Sequence, residues 1–127
     1  MIKYLFRKPK YPILIETDFR VAGARNAQKI ERLAGGSAFG KKESYTVIDA
    51  TGEGWSFVPK YGVISPLTID KRWNKLKIIE FFNASLARTG IVEKYEARSL
   101  SNKRMDRVVG EIVEFESKFL NRSGRRR

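Results

Sequence analysis

The chain has 127 residues, the length of one domain, and carries 26 Lys and Arg residues against 14 Asp and Glu residues, a formal net charge of +12. It contains no Cys and no His, which excludes disulfides, thiolate nucleophiles, cysteine metal clusters and histidine acid–base chemistry. The remaining residue types favour a binding protein over an enzyme, and we predict neither a metal nor a cofactor.

The chain also lacks an apolar run of about 18 residues, the length that a membrane-spanning helix requires. Residues 1–10 lack the apolar stretch of a secretory signal. We therefore expect a cytoplasmic protein with no membrane span. A single α+β domain is predicted over residues 1–121, and a basic, disordered tail over residues 122–127.

The first third of the sequence predicts two short strands and one helix. Alternating apolar residues at 1–6 indicate an edge strand, and the β-branched run at 13–17 indicates a second strand. A helix is predicted over residues 22–34, where apolar residues recur at helical spacing. Gly35 and Gly36 follow it directly and are typical of a helix end.

The middle of the sequence predicts an antiparallel meander. Two strands at 43–50 and 54–58 are joined through 51–54, whose glycines permit the positive φ that a tight turn requires. A third short strand at 63–65 precedes Pro66. Short turns between successive strands favour antiparallel pairing over a crossover connection.

A long helix is predicted over residues 68–90, with Thr68 as its N-cap and Gly90 just after its end. Its apolar residues spread so far around the helix that neighbouring elements should cover it on two sides, so we expect this helix to be central. The apolar stripe consists of Ile69, Trp73, Leu76, Ile79, Phe82 and Leu86, widened by Ile78 and Phe81.

The pattern at 91–98 is compatible with either a strand or a helix, and a last helix is predicted over residues 101–120. The fold class is therefore α+β. We expect a small antiparallel sheet of three to five strands, with the two longer C-terminal helices packed on one face. The shorter helix near residues 22–34 is expected at one edge.

Basic side chains in the three predicted helices form a candidate phosphate-binding set. On the 22–34 helix the spacing of the basic residues places three of them on one outer face. The two later helices open with basic residues, although the N-terminal end of a helix is already electropositive. A bound anion would make this arrangement favourable, because backbone N–H groups and basic side chains would converge on it. The predicted phosphate-binding residues are Arg25, Lys29, Arg32, Lys71, Arg72, Lys103, Arg104 and Arg107.

The leading hypothesis is a non-enzymatic binding module for an anionic partner, foremost nucleic acid, since high positive charge favours polyanions. Solvated charges that pair with neighbouring acids would explain the same residues. A second hypothesis is a protein-interaction or homo-oligomeric accessory domain, for example a homodimer. A third is a carboxylate or Mg²⁺-dependent enzyme at the hairpin turn, with Asp49 and Glu53 beside Lys60 or Tyr61.

Three aromatic residues on or near the hairpin have the residue types of a base-stacking surface for single strands. Trp55 and Phe57 belong to the second hairpin strand, and Tyr61 follows it. Because large aromatic side chains dominate protein cores, we expect Trp55 and Phe57 to pack inside the domain instead. Trp73 is predicted to be a core residue too.

Overall fold

The structure is a computed structural model that describes the backbone of residues 1–125 and the side chains of residues 1–118. Within that part of the chain, three α-helices and a six-stranded mixed sheet confirm the α+β class. Residues 126 and 127 of the predicted tail, and the side chains of its other residues, lie outside the described part.

The sheet has the strand order β1-β6-β5-β4-β2-β3, and every neighbouring pair is antiparallel except β1 and β6. The prediction of an antiparallel sheet of three to five strands was therefore wrong in strand number and in the β1–β6 pairing. The strands are β1 (Lys3–Tyr4), β2 (Ile13–Glu16), β3 (Val21–Ala24), β4 (Tyr45–Ile48), β5 (Gly54–Val58) and β6 (Val63–Ser65).

The helices are α1 (Ala27–Gly35), α2 (Lys75–Arg88) and α3 (Met105–Arg125), and a short 3-10 helix (Leu100–Asn102) precedes α3. Residues 91–97, which the sequence left open, form neither a helix nor a strand. They are held by Asn83, whose side chain donates to the Tyr95 carbonyl at 2.9 Å and accepts from the Tyr95 N–H at 2.8 Å. None of the helices within residues 1–125 is long and apolar enough to cross a membrane.

Alternation along the strands divides the core between the two faces of the sheet. In β2, Leu14 faces α2 and α3, whereas Ile13 and Ile15 face the other side. Helix α1 lies on that second face beside β3, where Ile30 is fully buried. The first cluster consists of Leu14, Val21, Ile48, Trp73, Ile78, Ile79, Phe82, Leu86, Tyr95, Val108, Val109, Ile112 and Val113.

The predicted helix over residues 22–34 was wrong at its start, because Val21–Ala24 is the edge strand β3. This strand pairs with β2, and a Cβ on Gly23 would lie only 3.0 Å from the Cα of Val113 in α3. A residue without a side chain is thus what lets α3 approach the strand closely. Helix α1 begins only after Asn26, whose side chain accepts the Lys29 N–H at 3.1 Å.

Side chains from the two C-terminal helices close the outer edge of β3. The Val21 N–H donates to Ser85 Oγ at 3.1 Å, and the Gly23 N–H donates to Glu116 Oε1 at 2.9 Å. Glu116 is 1% exposed and also accepts from Arg20 at 3.0 Å. These contacts satisfy edge N–H groups that would otherwise be available to another strand.

The long helix also starts later than predicted, at Lys75 instead of residue 68. Asn74, not Thr68, is its N-cap and accepts the Lys77 N–H at 2.8 Å. Ile69, which the predicted stripe placed in the core, is 96% exposed. Trp73 is 7% exposed, which confirms its predicted place in the core.

Candidate anion-binding site

The eight predicted phosphate-binding residues divide into two groups in the structure. Arg25, Lys29 and Arg32 line one cavity of about 200 Å³, here called the α1 cavity. The other five lie near the N-terminal ends of α2 and α3. Those two ends meet through Lys75, whose Nζ donates to the carbonyl oxygens of Leu100 and Lys103 at 2.7 and 2.8 Å.

Local geometry explains why the α1 cavity forms where it does. Strand β3 ends at Ala24, and the chain turns through residues 25–26 directly into α1. Lys29 and Arg32 are three positions apart on the helix, so their side chains lie on one face of it. The turn residues Arg25 and Asn26 line the same cavity. Helix α3 supplies the opposite wall. The lining residues are Gly23, Arg25, Asn26, Lys29, Arg32, Val113, Glu116 and Ser117.

The charge in the α1 cavity is strongly positive. Among the described residues, Arg25, Lys29 and Arg32 form no ion pair with a carboxylate. Glu116 is the one acid among the described lining residues, and its two oxygens are occupied by the Gly23 N–H and by Arg20. The first turn of α1 has no acidic residue, so its electropositive backbone adds to the same field.

The second group is largely neutralised by its own surroundings. Lys103 pairs with Glu111 at 2.8 Å, Arg104 with Asp106 at 3.3 Å and Arg107 with Glu111 at 3.2 Å. Lys103 and Arg104 also precede α3, and Asp106 occupies its first turn. Lys103 and Arg104 therefore still lie at the electropositive end of α3, but their carboxylate partners offset that unfavourable placement.

Lys71 and Arg72 also precede their helix, on the exposed segment before α2. Among the described residues neither forms an ion pair with a carboxylate. Arg72 forms a backbone bridge with Glu53, and its charge contributes, after that of Arg7, to lowering the pKa of the Glu53 carboxyl. These two cations are thus the part of the second group that has no ion-pair contact among the described residues.

The pairing around Glu111 predicts a loss of stability in acid. Hydrogen bonds from Lys103 and from the Tyr95 hydroxyl lower the pKa of Glu111 to about 2, from an ordinary value of 4.5. Because the folded state lowers this pKa, ionised Glu111 stabilises the fold above about pH 4.5, and the contribution is lost as the pH falls towards 2.

We expect the free energy of unfolding to fall by about 1 kcal/mol from this group between pH 5 and pH 2, since its side chain is 32% exposed and solvent screens the pairs. Urea unfolding at several pH values measures it. In the Glu111→Gln variant, the free energy of unfolding should fall less over the same pH range, by the amount that Glu111 contributes. Equal acid sensitivity in the variant and the wild type would contradict the assignment.

The predicted carboxylate cluster at the hairpin turn is a structural network. Asp49 is 2% exposed, and Glu53 is held by two hydrogen bonds from Arg7, which lower its pKa. Lys60 and Tyr61 line a different cavity, at the other end of β5. No group of three acidic residues within the described residues could hold a metal ion. Asp49 accepts from the N–H groups of Lys10, Thr51 and Glu53, the Thr51 hydroxyl and Trp55 Nε1.

Sequence reasoning missed the residues that α3 brings to the α1 cavity. Glu116 is 93 positions from Gly23, to whose N–H it binds, and no local pattern links the two. Helical spacing did group Lys29 and Arg32, which line the opposite wall, and Arg25 joins them from the turn before α1. Trp55 and Phe57 are each 1% exposed, as predicted for core residues, so of the three hairpin aromatics only Tyr61, which is 64% exposed, is accessible.

The chain matches no known protein family, no curated protein and no solved structure.

Proposed function

We propose that this protein is a non-enzymatic binding module for nucleic acid, and that the α1 cavity holds a backbone phosphate. The observation that supports the proposal is the convergence of Arg25, Lys29 and Arg32, unpaired within the described residues, on one small cavity. A guanidinium group binds two phosphate oxygens at once, and an ammonium group adds a point charge. The electropositive start of α1, where Asn26 caps the Lys29 N–H, suits an anion as well.

A polymer fits the distribution of charge better than a single small anion. The net charge of +12 creates a field that attracts polyanions. Met105, beside the hairpin turn, and Glu116, in the α1 cavity, are eleven helical residues apart. This corresponds to about 16 Å along α3, or roughly five base-pair steps of a duplex. We propose that Lys71 and Arg72 contact other phosphates of the same strand.

The proposal predicts a large loss of binding when the α1 cavity is neutralised. In the triple variant Arg25→Gln, Lys29→Gln and Arg32→Gln, affinity for labelled duplex DNA should fall by about tenfold or more. The slope of log affinity against log salt should become less steep by about two to three, because each phosphate contact contributes about 0.9. Fluorescence anisotropy between about 50 and 200 mM salt measures both quantities.

A control variant with the same charge change is Arg88→Gln, Lys94→Gln and Arg98→Gln, three exposed positions that do not line the α1 cavity. It should retain most of the affinity of the wild type. Equal losses in the two variants would mean diffuse attraction without a site. A wild-type affinity that does not change with salt, or no binding at about 50 mM salt, would overturn the proposal.

A second candidate function is homo-oligomerisation through the segment before and at the start of α2. Leu67, Ile69 and Leu76 are 65%, 96% and 57% exposed, an unusual concentration of exposed apolar side chains in ten residues. A dimer in light scattering that Ile69→Ser dissociates would favour this function. The residues of this segment do not line the α1 cavity, so a phosphate could still bind there, although Lys71 and Arg72 lie within the segment.

A further inference from the structure

A second cavity, here called the hairpin cavity, lies where β4 begins and β5 turns into β6. Its volume is about 530 Å³, within the range of small-ligand sites. Apolar and aromatic side chains make up the walls, and three charged side chains complete the lining. The residues are Phe39, Lys42, Glu43, Val58, Pro59, Lys60 and Tyr61.

The back of the hairpin cavity is fixed by the fold. The Phe39 ring packs edge-on against the rings of Tyr45 and Phe57, with centroids 5.0 Å apart in both pairs. The loop after Phe39 is held by Asp18, which accepts the Gly40 N–H at 2.6 Å. Burial opposes ionisation of Asp18, but hydrogen bonds from Tyr45, Gly40 and Lys41 outweigh it and lower the pKa. This wall is therefore formed before any ligand arrives.

Tyr61 gives the hairpin cavity an exposed aromatic surface beside positive charge. Its side chain is 64% exposed, and the Lys60 Nζ lies 5.5 Å from its ring centroid. Lys42 is partly neutralised by Glu16 at 2.6 Å, so Lys60 is the cation without a carboxylate partner among the described residues. An aromatic ring next to a free cation suits a ligand that combines a flat ring with a phosphate.

Glu43 adds an acceptor at the same site. It is exposed and, within the described residues, forms no ion pair. A carboxylate repels phosphate but accepts hydrogen bonds from the amino groups of cytosine, adenine and guanine, which uracil and thymine lack. The lining thus suits a base with an amino group better than an anion alone.

We propose that the hairpin cavity binds an unpaired nucleobase of a single-stranded nucleic acid. Tyr61 stacks on the base, Lys60 contacts the flanking phosphate and Glu43 accepts from the amino group of the base. This inference rests on the proposed function and adds a preference for single strands, because a base inside a duplex is stacked and paired and cannot enter.

The test compares Tyr61→Ala with the matched control Phe19→Ala. Phe19 is 61% exposed and has Lys41 Nζ 6.0 Å from its ring centroid, yet it does not line the hairpin cavity. By fluorescence anisotropy with labelled oligocytidine, Tyr61→Ala should lower affinity by about tenfold and leave duplex binding unchanged. Phe19→Ala should change neither. An unchanged single-strand affinity in Tyr61→Ala, or equal losses for both forms, would overturn the inference.

Two further measurements separate this inference from the proposed function. The α1-cavity triple variant should bind single strands and duplex DNA with lower affinity, whereas Tyr61→Ala should lower the affinity for single strands only. If the triple variant leaves binding unchanged while Tyr61→Ala weakens single-strand binding, the proposed phosphate site is wrong and the proposed base site is supported.

In the Glu43→Gln variant, the ratio of the affinity for oligocytidine to the affinity for oligouridine should be smaller than in the wild type. Equal wild-type affinity for the two oligomers would refute the assigned role of Glu43.

Discussion

Replacing Gly54 with alanine should destabilise the protein by about 3 kcal/mol or more, because a Cβ there would lie 1.8 Å from the carbonyl oxygen of Asp70. The segment before α2 is docked on the hairpin at this point. Its contacts include the Gly54 N–H donating to the Lys71 carbonyl and the Trp73 N–H donating to the Gly52 carbonyl, both at 2.9 Å. Relieving the clash would break these bonds and displace the buried Trp73.

Urea unfolding measures the change, with Gly110→Ala as the matched control. Nothing lies within 4 Å of a Cβ at Gly110, which is inside α3. Alanine is the better helix former, so this control should stabilise the protein by about 0.5–1 kcal/mol. If Gly54→Ala were as stable as the wild type, the segment that carries Lys71 and Arg72 would not be packed against the hairpin.

The same docking explains why the start of α2 could not be predicted. Residues 68–74 continue the apolar spacing of the helix, so a local pattern extends it to Thr68. In the structure this segment instead bonds to the turn glycines, and its partners lie about twenty positions away. Tertiary contacts of this kind override local propensity. The start of α2 could have been predicted only with the knowledge that residues 52–54 contact residues 71–73.

Features set by local sequence were predicted more reliably. The β4–β5 hairpin follows from alternation and from Gly52, which has a φ of 84°, whereas Gly54 is the first residue of β5; the register is Val47↔Trp55. Strand β3 was missed because Val-Ala-Gly-Ala carries no strong strand pattern, and its small residues only make sense once α3 is packed over them. The parallel β1–β6 pair joins residues sixty positions apart, beyond any short-range pattern.

The candidate site shows the same division. Helical spacing was enough to group Lys29 and Arg32, because that relation is local, whereas Arg25 joins them from the turn before α1. Whether such a group is free or neutralised depends on which acids the fold brings near it. The sequence also predicted phosphate binding by Lys103, Arg104 and Arg107, yet each of them is paired with a carboxylate in the structure.

Glu116→Ala should destabilise the protein by about 3–5 kcal/mol, because it leaves the Gly23 N–H and the Arg20 guanidinium without their buried partner. The matched control is Glu114→Ala, whose side chain is 61% exposed and, among the side chains that the structure describes, pairs only with Lys118, at 3.6 Å. That change should alter the free energy of unfolding by no more than about 0.5 kcal/mol. Similar losses for both variants in urea unfolding would contradict the edge-closing role of Glu116.

Glu116→Gln separates the structural role of this residue from its effect on the α1 cavity. Glutamine has nearly the same shape and still offers a carbonyl oxygen to the Gly23 N–H, so it should cost less stability than alanine. It removes the one negative charge from a lining that otherwise carries Arg25, Lys29 and Arg32. Nucleic-acid affinity should therefore rise by several-fold in Glu116→Gln, with a steeper salt dependence. A folded Glu116→Gln variant with unchanged affinity would place the bound phosphate outside this cavity.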